Sequence, residues 1–278
     1  SNSEIAYTSN GDEHGTPSAN YSKLYKFTFA SESWASPGTM PRFSDSFSYA
    51  GQGFGNQTYA YWAGGTPGIR SNVRRAAYAT DTISNPTSNL PAVRARVSAS
   101  SDADAAYLFY GQNANPAPNA TPISTIIKLT YSTETSSMLP SYMNDNAGPS
   151  TSATGNLSQG YVTGKGYWPA PDANSSISKF NYSTGTASNV GSNPQGPMIS
   201  VPMWSARMYA HPGKYATERF VDGQSSFSNA PNKGYWLGGW SPSAPGSGSY
   251  TSFSKIDMST DTISEVTDRA STTKRAYA

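Results

Sequence analysis

Three features of the chain predict an all-β fold, specifically a five-bladed β-propeller closed by pairing of its N- and C-terminal strands. A hairpin motif recurs five times, its copies are spaced by about 50 residues, and the fragments left at the two ends together make one more such interval.

The motif is a basic residue, two spacers, an aromatic residue or Met, and a small polar turn. Its copies are Lys26-Phe27-Thr28-Phe29-Ala30-Ser31-Glu32-Ser33, Arg75-Ala76-Ala77-Tyr78-Ala79-Thr80-Asp81-Thr82, Lys128-Leu129-Thr130-Tyr131-Ser132-Thr133-Glu134-Thr135, Lys179-Phe180-Asn181-Tyr182-Ser183-Thr184-Gly185-Thr186 and Lys255-Ile256-Asp257-Met258-Ser259-Thr260-Asp261-Thr262. Alternation puts residues such as Phe27 and Phe29 on one face of a strand. The hydroxyl- and acid-rich segment that follows can bond its own backbone and reverse the chain. A more apolar strand precedes the copies, as in Tyr59–Gly65, Ala106–Gly111 and Gly234–Gly239, and glycine at its end permits a tight exit.

The basic residues at 26, 75, 128, 179 and 255 step by 49, 53, 51 and 76 residues, and the chain beyond 255 plus the chain up to 26 makes another 49. An open array has no reason for that remainder, whereas a ring shares its last blade between the termini. Lys274-Arg275-Ala276-Tyr277-Ala278 reads as a leading strand like Arg94-Ala95-Arg96-Val97-Ser98, and Glu4-Ile5-Ala6-Tyr7-Thr8 as an apolar strand lacking a leader. Pairing them removes two exposed edges. The expected blades are 272–278 with 4–40, 41–90, 91–140, 147–191 and 201–268, all in one domain spanning 1–278. The long step holds an insertion, 211–233, rich in charge (Lys214, Glu218, Arg219, Asp222, Lys233).

Composition sets limits on partners. The 278 residues carry a net charge of +2 with 13% charged side chains, and the 19 Lys and Arg are scattered instead of forming the stripe that nucleic acid requires. No apolar run reaches membrane-spanning length, so membrane insertion is not expected. Cysteine is absent, which rules out a disulfide framework or a thiolate zinc site. The polar, low-charge composition would suit a disordered chain, but 13% aromatic residues between Gly/Pro/Ser clusters read as strands and turns. The start at Ser1-Asn2-Ser3 reads as a processed or excised form.

The glycines after aromatic strands, in Trp62-Ala63-Gly64-Gly65 and Trp236-Leu237-Gly238-Gly239, together with the strand and turn of Lys255 to Thr262, resemble the kelch repeat. The likeness runs over nearly the whole chain, although Gly111-Gln112 and Gly164-Lys165-Gly166 lack the diglycine and the fourth-strand Trp has its counterpart only near Trp34. The Tyr-Ser-Thr-Asp/Glu-Thr turn resembles a divergent kelch variant of large virion and surface proteins of marine bacteriophages. The resemblance implies a virion appendage (tail, neck or capsid decoration) or a surface protein, located on the virion or the extracellular surface, although a fold does not dictate a function.

Catalytic signatures are sparse. His14 and His211 form no metal-binding spacing. Five-bladed propellers include glycosidases, which place carboxylates around the central channel about 5–10 Å apart. Asp102, Asp104, Asp145, Asp172, Glu218 and Asp222 are the candidates, but they share no repeat position. Asp81, Glu134 and Asp261 do share one, and turn chemistry accounts for it. No cofactor is expected.

Binding residues are therefore sought on loops. Tyr167, Trp168 and Trp240 sit where apolar strands meet long loops and suit stacking on sugar rings or packing between blades. Arg70 lies in the loop Thr66–Asn72. That loop, with Asn113–Thr125, Tyr167–Ser176 and Trp240–Thr251, is expected on one face of the ring, and Lys214, Glu218 and Arg219 on the other. The sequence thus predicts a non-catalytic module contacting other structural proteins of an assembly or a cell-surface glycan. The alternative is a secreted carbohydrate-binding lectin or a five-bladed glycoside hydrolase.

Overall fold

The computed structural model describes residues 5–9, 23–39, 52–65, 71–95, 97–113, 123–143, 151–163, 175–192, 203–205, 233–237 and 252–269. Their regular structure is all strand, in five antiparallel sheets that each follow chain order. The first sheet has three strands, β1 (Ile5–Ser9), β2 (Lys23–Thr28) and β3 (Ser33–Thr39). The other four sheets have four strands each. The second is β4 (Gln52–Gly55), β5 (Tyr59–Ala63), β6 (Val73–Ala77) and β7 (Ile83–Ser84). The third is β8 (Ser98–Ser101), β9 (Ala105–Phe109), β10 (Thr125–Thr130) and β11 (Thr135–Tyr142). The fourth is β12 (Ser152–Gly155), β13 (Gln159–Thr163), β14 (Ser176–Asn181) and β15 (Thr186–Ser192). The fifth is β16 (Met203–Ser205), β17 (Lys233–Leu237), β18 (Ser252–Asp257) and β19 (Thr262–Arg269).

Each recurring motif forms the last hairpin of its sheet. The residue at the acidic turn position adopts a left-handed backbone in every copy, with φ of 48° at Glu32, 56° at Asp81, 53° at Glu134, 67° at Gly185 and 56° at Asp261. Hydroxyls on either side close over that residue: Thr133 and Thr135 lie 2.7 Å apart, Thr184 and Thr186 2.7 Å, Thr260 and Thr262 2.8 Å, and Ser31 and Ser33 2.6 Å. This pairing is the physical reason for hydroxyl residues flanking the slot. A second turn joins the first two strands, where Asn56, Asp102 and Asn156 each accept two backbone N–H groups through Oδ1.

The core consists of the seams between consecutive sheets. Ile5 and Tyr7 pack on Ala60, Trp62, Ala76 and Tyr78. Tyr61 and Val73 meet Leu108, Leu129 and Tyr131. Tyr107 and Phe109 meet Val162, Phe180 and Tyr182. Tyr161 and Ile177 meet Ile256 and Met258. The alternate residues of β5 and β9 face opposite neighbours, so both faces are covered and the strands read as continuous apolar runs. The last strands β11 and β15 are largely exposed. First strands adjoin in order, β4 with β8, β8 with β12, and β12 with β16.

Within the third sheet, one antiparallel register runs from Ser101 opposite Ala106 to Ala95 opposite Gln112, as the leading-strand assignment of 94–98 requires. In the first sheet, β1 matches the second strand of the others, with Tyr7 opposite Lys26 as Tyr61 is opposite Arg75. The proposed partner strand, 274–278, lies outside the described residues. One boundary needs correcting. Lys233, counted above with the insertion, is the first residue of β17 and stands opposite Asp257, with 3.7 Å between their charged groups.

Gly64 explains part of the diglycine. Its φ is +71°, and a Cβ there would collide with the carbonyl oxygen of Arg94. Gly65 donates its N–H to that same oxygen at 2.9 Å, so the second sheet's strand exit lies against the backbone leading into the third.

Candidate functional site

The charged side chains of the repeat converge at the seams between sheets. In each sheet a tyrosine on one strand stands directly opposite the motif's basic residue on the next: Tyr7 and Lys26, Tyr61 and Arg75, Tyr107 and Lys128, Tyr161 and Lys179, Tyr235 and Lys255. Cross-strand partners project from the same face. At three seams this pair meets the turn acid of the following sheet. Tyr7 donates its hydroxyl to Asp81, and Lys26 reaches both carboxylate oxygens at 2.9 Å. Tyr61 donates to Glu134 at 3.2 Å, and Arg75 pairs with the same oxygen. Tyr161 donates to Asp261 at 2.6 Å, and Lys179 pairs with the other oxygen. The left-handed turn aims each carboxylate back across the seam.

Aromatic rings brace the same contacts. Tyr7 stacks on Tyr78 with centroids 5.5 Å apart, Tyr61 on Tyr131 at 5.5 Å and Tyr107 on Tyr182 at 4.4 Å. Each second ring is the motif's own aromatic residue, three positions before its turn residue. At the Tyr161 seam that position is Met258, whose carbonyl accepts from the tyrosine hydroxyl at 3.2 Å.

The seam between the third and fourth sheets departs from the pattern, because Gly185 occupies the acid's position. Tyr107 donates instead to Asp102 of its own sheet at 3.1 Å, and Lys128 lies over the Tyr107 ring at 5.8 Å. Asp102 stands five residues before its tyrosine, as Asn56 and Asn156 stand before Tyr61 and Tyr161. An Asn-to-Asp exchange at that turn thus supplies the carboxylate that the neighbouring sheet lacks.

The electrostatics suit holding rather than proton transfer. Burial raises the Tyr61 phenol to about 12, and burial together with the adjoining carboxylates also raises Tyr7, Tyr107 and Tyr161. At Asp81 burial works upward, but hydrogen bonds from Tyr7 and Lys26 and the Lys26 charge outweigh it and hold the carboxyl below its usual range. These tyrosines and Asp81 move away from neutrality, opposite to what a general acid or base at neutral pH needs.

Two of the sequence-derived acids, Asp102 and Asp104, lie among the described residues. Asp102 caps a turn and binds Tyr107, and the backbone carbonyl of Asp104 accepts the Tyr131 N–H at 2.8 Å. Asp145, Asp172, Glu218 and Asp222 lie outside the described residues, as do Arg70, Tyr167, Trp168, Lys214, Arg219, Trp240, His14 and His211. Among the described residues no three His, Cys, Asp or Glu side chains form a metal-binding group. The seams do not show within any one repeat. Their signal was present in the fixed spacing between tyrosine, base and turn acid, but it crosses from one repeat to the next.

No protein-family model matches the chain, and no curated protein matches it.

Proposed function

We propose that the chain is a non-catalytic binding and structural module, built as a closed five-bladed kelch-like propeller. It would serve as a virion appendage or surface protein that contacts other structural proteins and a cell-surface glycan. The observation that carries this is the commitment of the repeat's ionisable side chains to sheet-to-sheet contacts: Asp81, Glu134 and Asp261 are each gripped by a tyrosine and a base from the preceding sheet. Groups engaged in this way stiffen a scaffold. The closed ring is supported by sheets that pack in chain order, and by a first sheet that has, among the described residues, one strand fewer than the rest. In this reading 274–278 supplies the missing strand beside β1.

Connections between second and third strands leave the same strand ends in every sheet. In a ring they share one face, and Arg70, Tyr167, Trp168 and Trp240 lie within or beside them. Binding to a glycan array, lost on Trp168→Ala or Trp240→Ala, is the expected result for that face. Release of sugar from a polysaccharide panel, abolished by Asp102→Asn, would overturn the non-catalytic assignment. Detection of the chain at fixed stoichiometry in purified particles supports the virion context, and recovery solely as free monomer refutes it.

A further inference from the structure

The seams between successive sheets follow one rule, and the rule makes a statement about the seam that would join the last sheet to the first. A tyrosine and a base, paired across two strands, grip the turn acid of the next sheet. The fifth sheet carries such a pair, with Tyr235 opposite Lys255. The first sheet carries such an acid, because Glu32 has the left-handed φ of 48° shared by the other turn residues. Phe29 also occupies the position at which Tyr78, Tyr131 and Tyr182 receive a tyrosine ring from the preceding sheet.

Glu32 is exposed and Lys255 half-buried, and among the described residues neither has an ion-pair partner. We propose that Lys255 is the receiving half of a latch and that Glu32 with Phe29 is the inserted half, so that this contact, 223 residues apart in sequence, locks the ring shut. The proposal rests on the closed-ring reading and adds to it the residues that hold the closure. A local hairpin turn has no need of an acid at this slot, since Gly185 forms the same turn without one. The acid at position 32 is thereby left with the role it has at 81, 134 and 261.

Two measurements separate the latch from the ring. The chain has no cysteine, so spin labels can be placed cleanly at chosen sites. Labels on Thr80→Cys with Thr133→Cys, both in exposed turns of adjoining sheets, give a ruler for neighbouring turns. Labels on Ser31→Cys with Thr260→Cys are expected to give the same distance by dipolar spectroscopy. In urea unfolding, Glu32→Gln and Lys255→Met should each raise the unfolding constant roughly fivefold, and together no further than the worse single change. Glu32→Asp, which restores the residue found at 81 and 261, should keep the coupling to Lys255. Matching distances with additive single effects overturn the latch and leave the ring standing. A Ser31–Thr260 distance well beyond the ruler overturns both.

Discussion

Lys26 donates to both carboxylate oxygens of Asp81 at 2.9 Å each, although 55 residues separate the two in sequence. Each residue is half-buried and the contact bridges two sheets, so its strength belongs to the packing of sheets and not to either hairpin. Asp81→Asn keeps a residue that tolerates the left-handed turn and removes the charge. It should cost about 1 kcal/mol in urea unfolding at neutral pH, discounted for partial exposure. The Asp81 carboxyl is held below its usual value, so its contribution is present above about pH 4 and is lost as pH falls further. The gap between wild type and variant should therefore close on acidification, and a gap constant with pH would refute the ion-pair account.

Gly185→Asp should be more stable than Gly185→Asn, which shares its backbone strain and lacks its charge. The backbone there already has φ +67°, and an added Cβ would meet nothing nearer than Ser141 Oγ at 4.0 Å. Aspartate occupies the same conformation at 81 and 261. The new carboxylate would face Lys128 as Asp81 faces Lys26, with an expected gain over Gly185→Asn of about 0.5 kcal/mol. Gly185→Asn serves as the uncharged control, and the gain should vanish in a Lys128→Met background.

Gly64→Ala should be severe. The added methyl meets the Arg94 carbonyl, a backbone atom that cannot swing aside, and the residue must hold φ +71°. A loss of about 2–4 kcal/mol is expected from clash and strain together. Gly53→Ala is the matched control, because its new Cβ would meet Trp62 Nε1 at 3.7 Å, an ordinary contact distance, and its unfolding midpoint should barely move.

Alkali should expose the tyrosines of the seams. Tyr7, Tyr61, Tyr107 and Tyr161 have raised values, so the folded state keeps protons that the unfolded chain loses. Their contribution is complete below pH 10 and declines as pH rises beyond it. Titrated by phenolate absorbance, Tyr7, Tyr61, Tyr107 and Tyr161 should ionise late, together with the loss of native circular dichroism. Smooth ionisation of all tyrosines in a protein that stays folded would contradict the buried hydroxyl contacts.

The hairpins were legible in the sequence because their causes are local. Two-residue alternation, a hydroxyl on each side of the turn slot and a glycine at the strand exit act within a dozen residues. The acids at 81, 134 and 261 were assigned to turn chemistry, and their backbone agrees, but the side chains act elsewhere. Their partners Lys26, Arg75 and Lys179 lie one repeat earlier, and the pairing emerges only once sheet order is known. Asp102 shows the same limit. It looked like a stray carboxylate until its equivalence to Asn56 and Asn156, and its bond to Tyr107, gave it a structural partner. For the loop aromatics Trp168 and Trp240, nothing local in the sequence tells stacking on a ligand from packing on a neighbour.

Because Asp81, Glu134 and Asp261 are each held by the repeat before, the natural cassette for recombination does not coincide with a sheet. A graft that swaps a whole sheet severs a grip on each side, one as donor and one as acceptor. A graft that exchanges only a hairpin tip touches a single grip, the one its turn acid makes with the base of the repeat before. Lineages that shuffle or duplicate such repeats would keep base and following acid matched across the splice, and a glycine such as Gly185 marks a splice that any preceding repeat can tolerate.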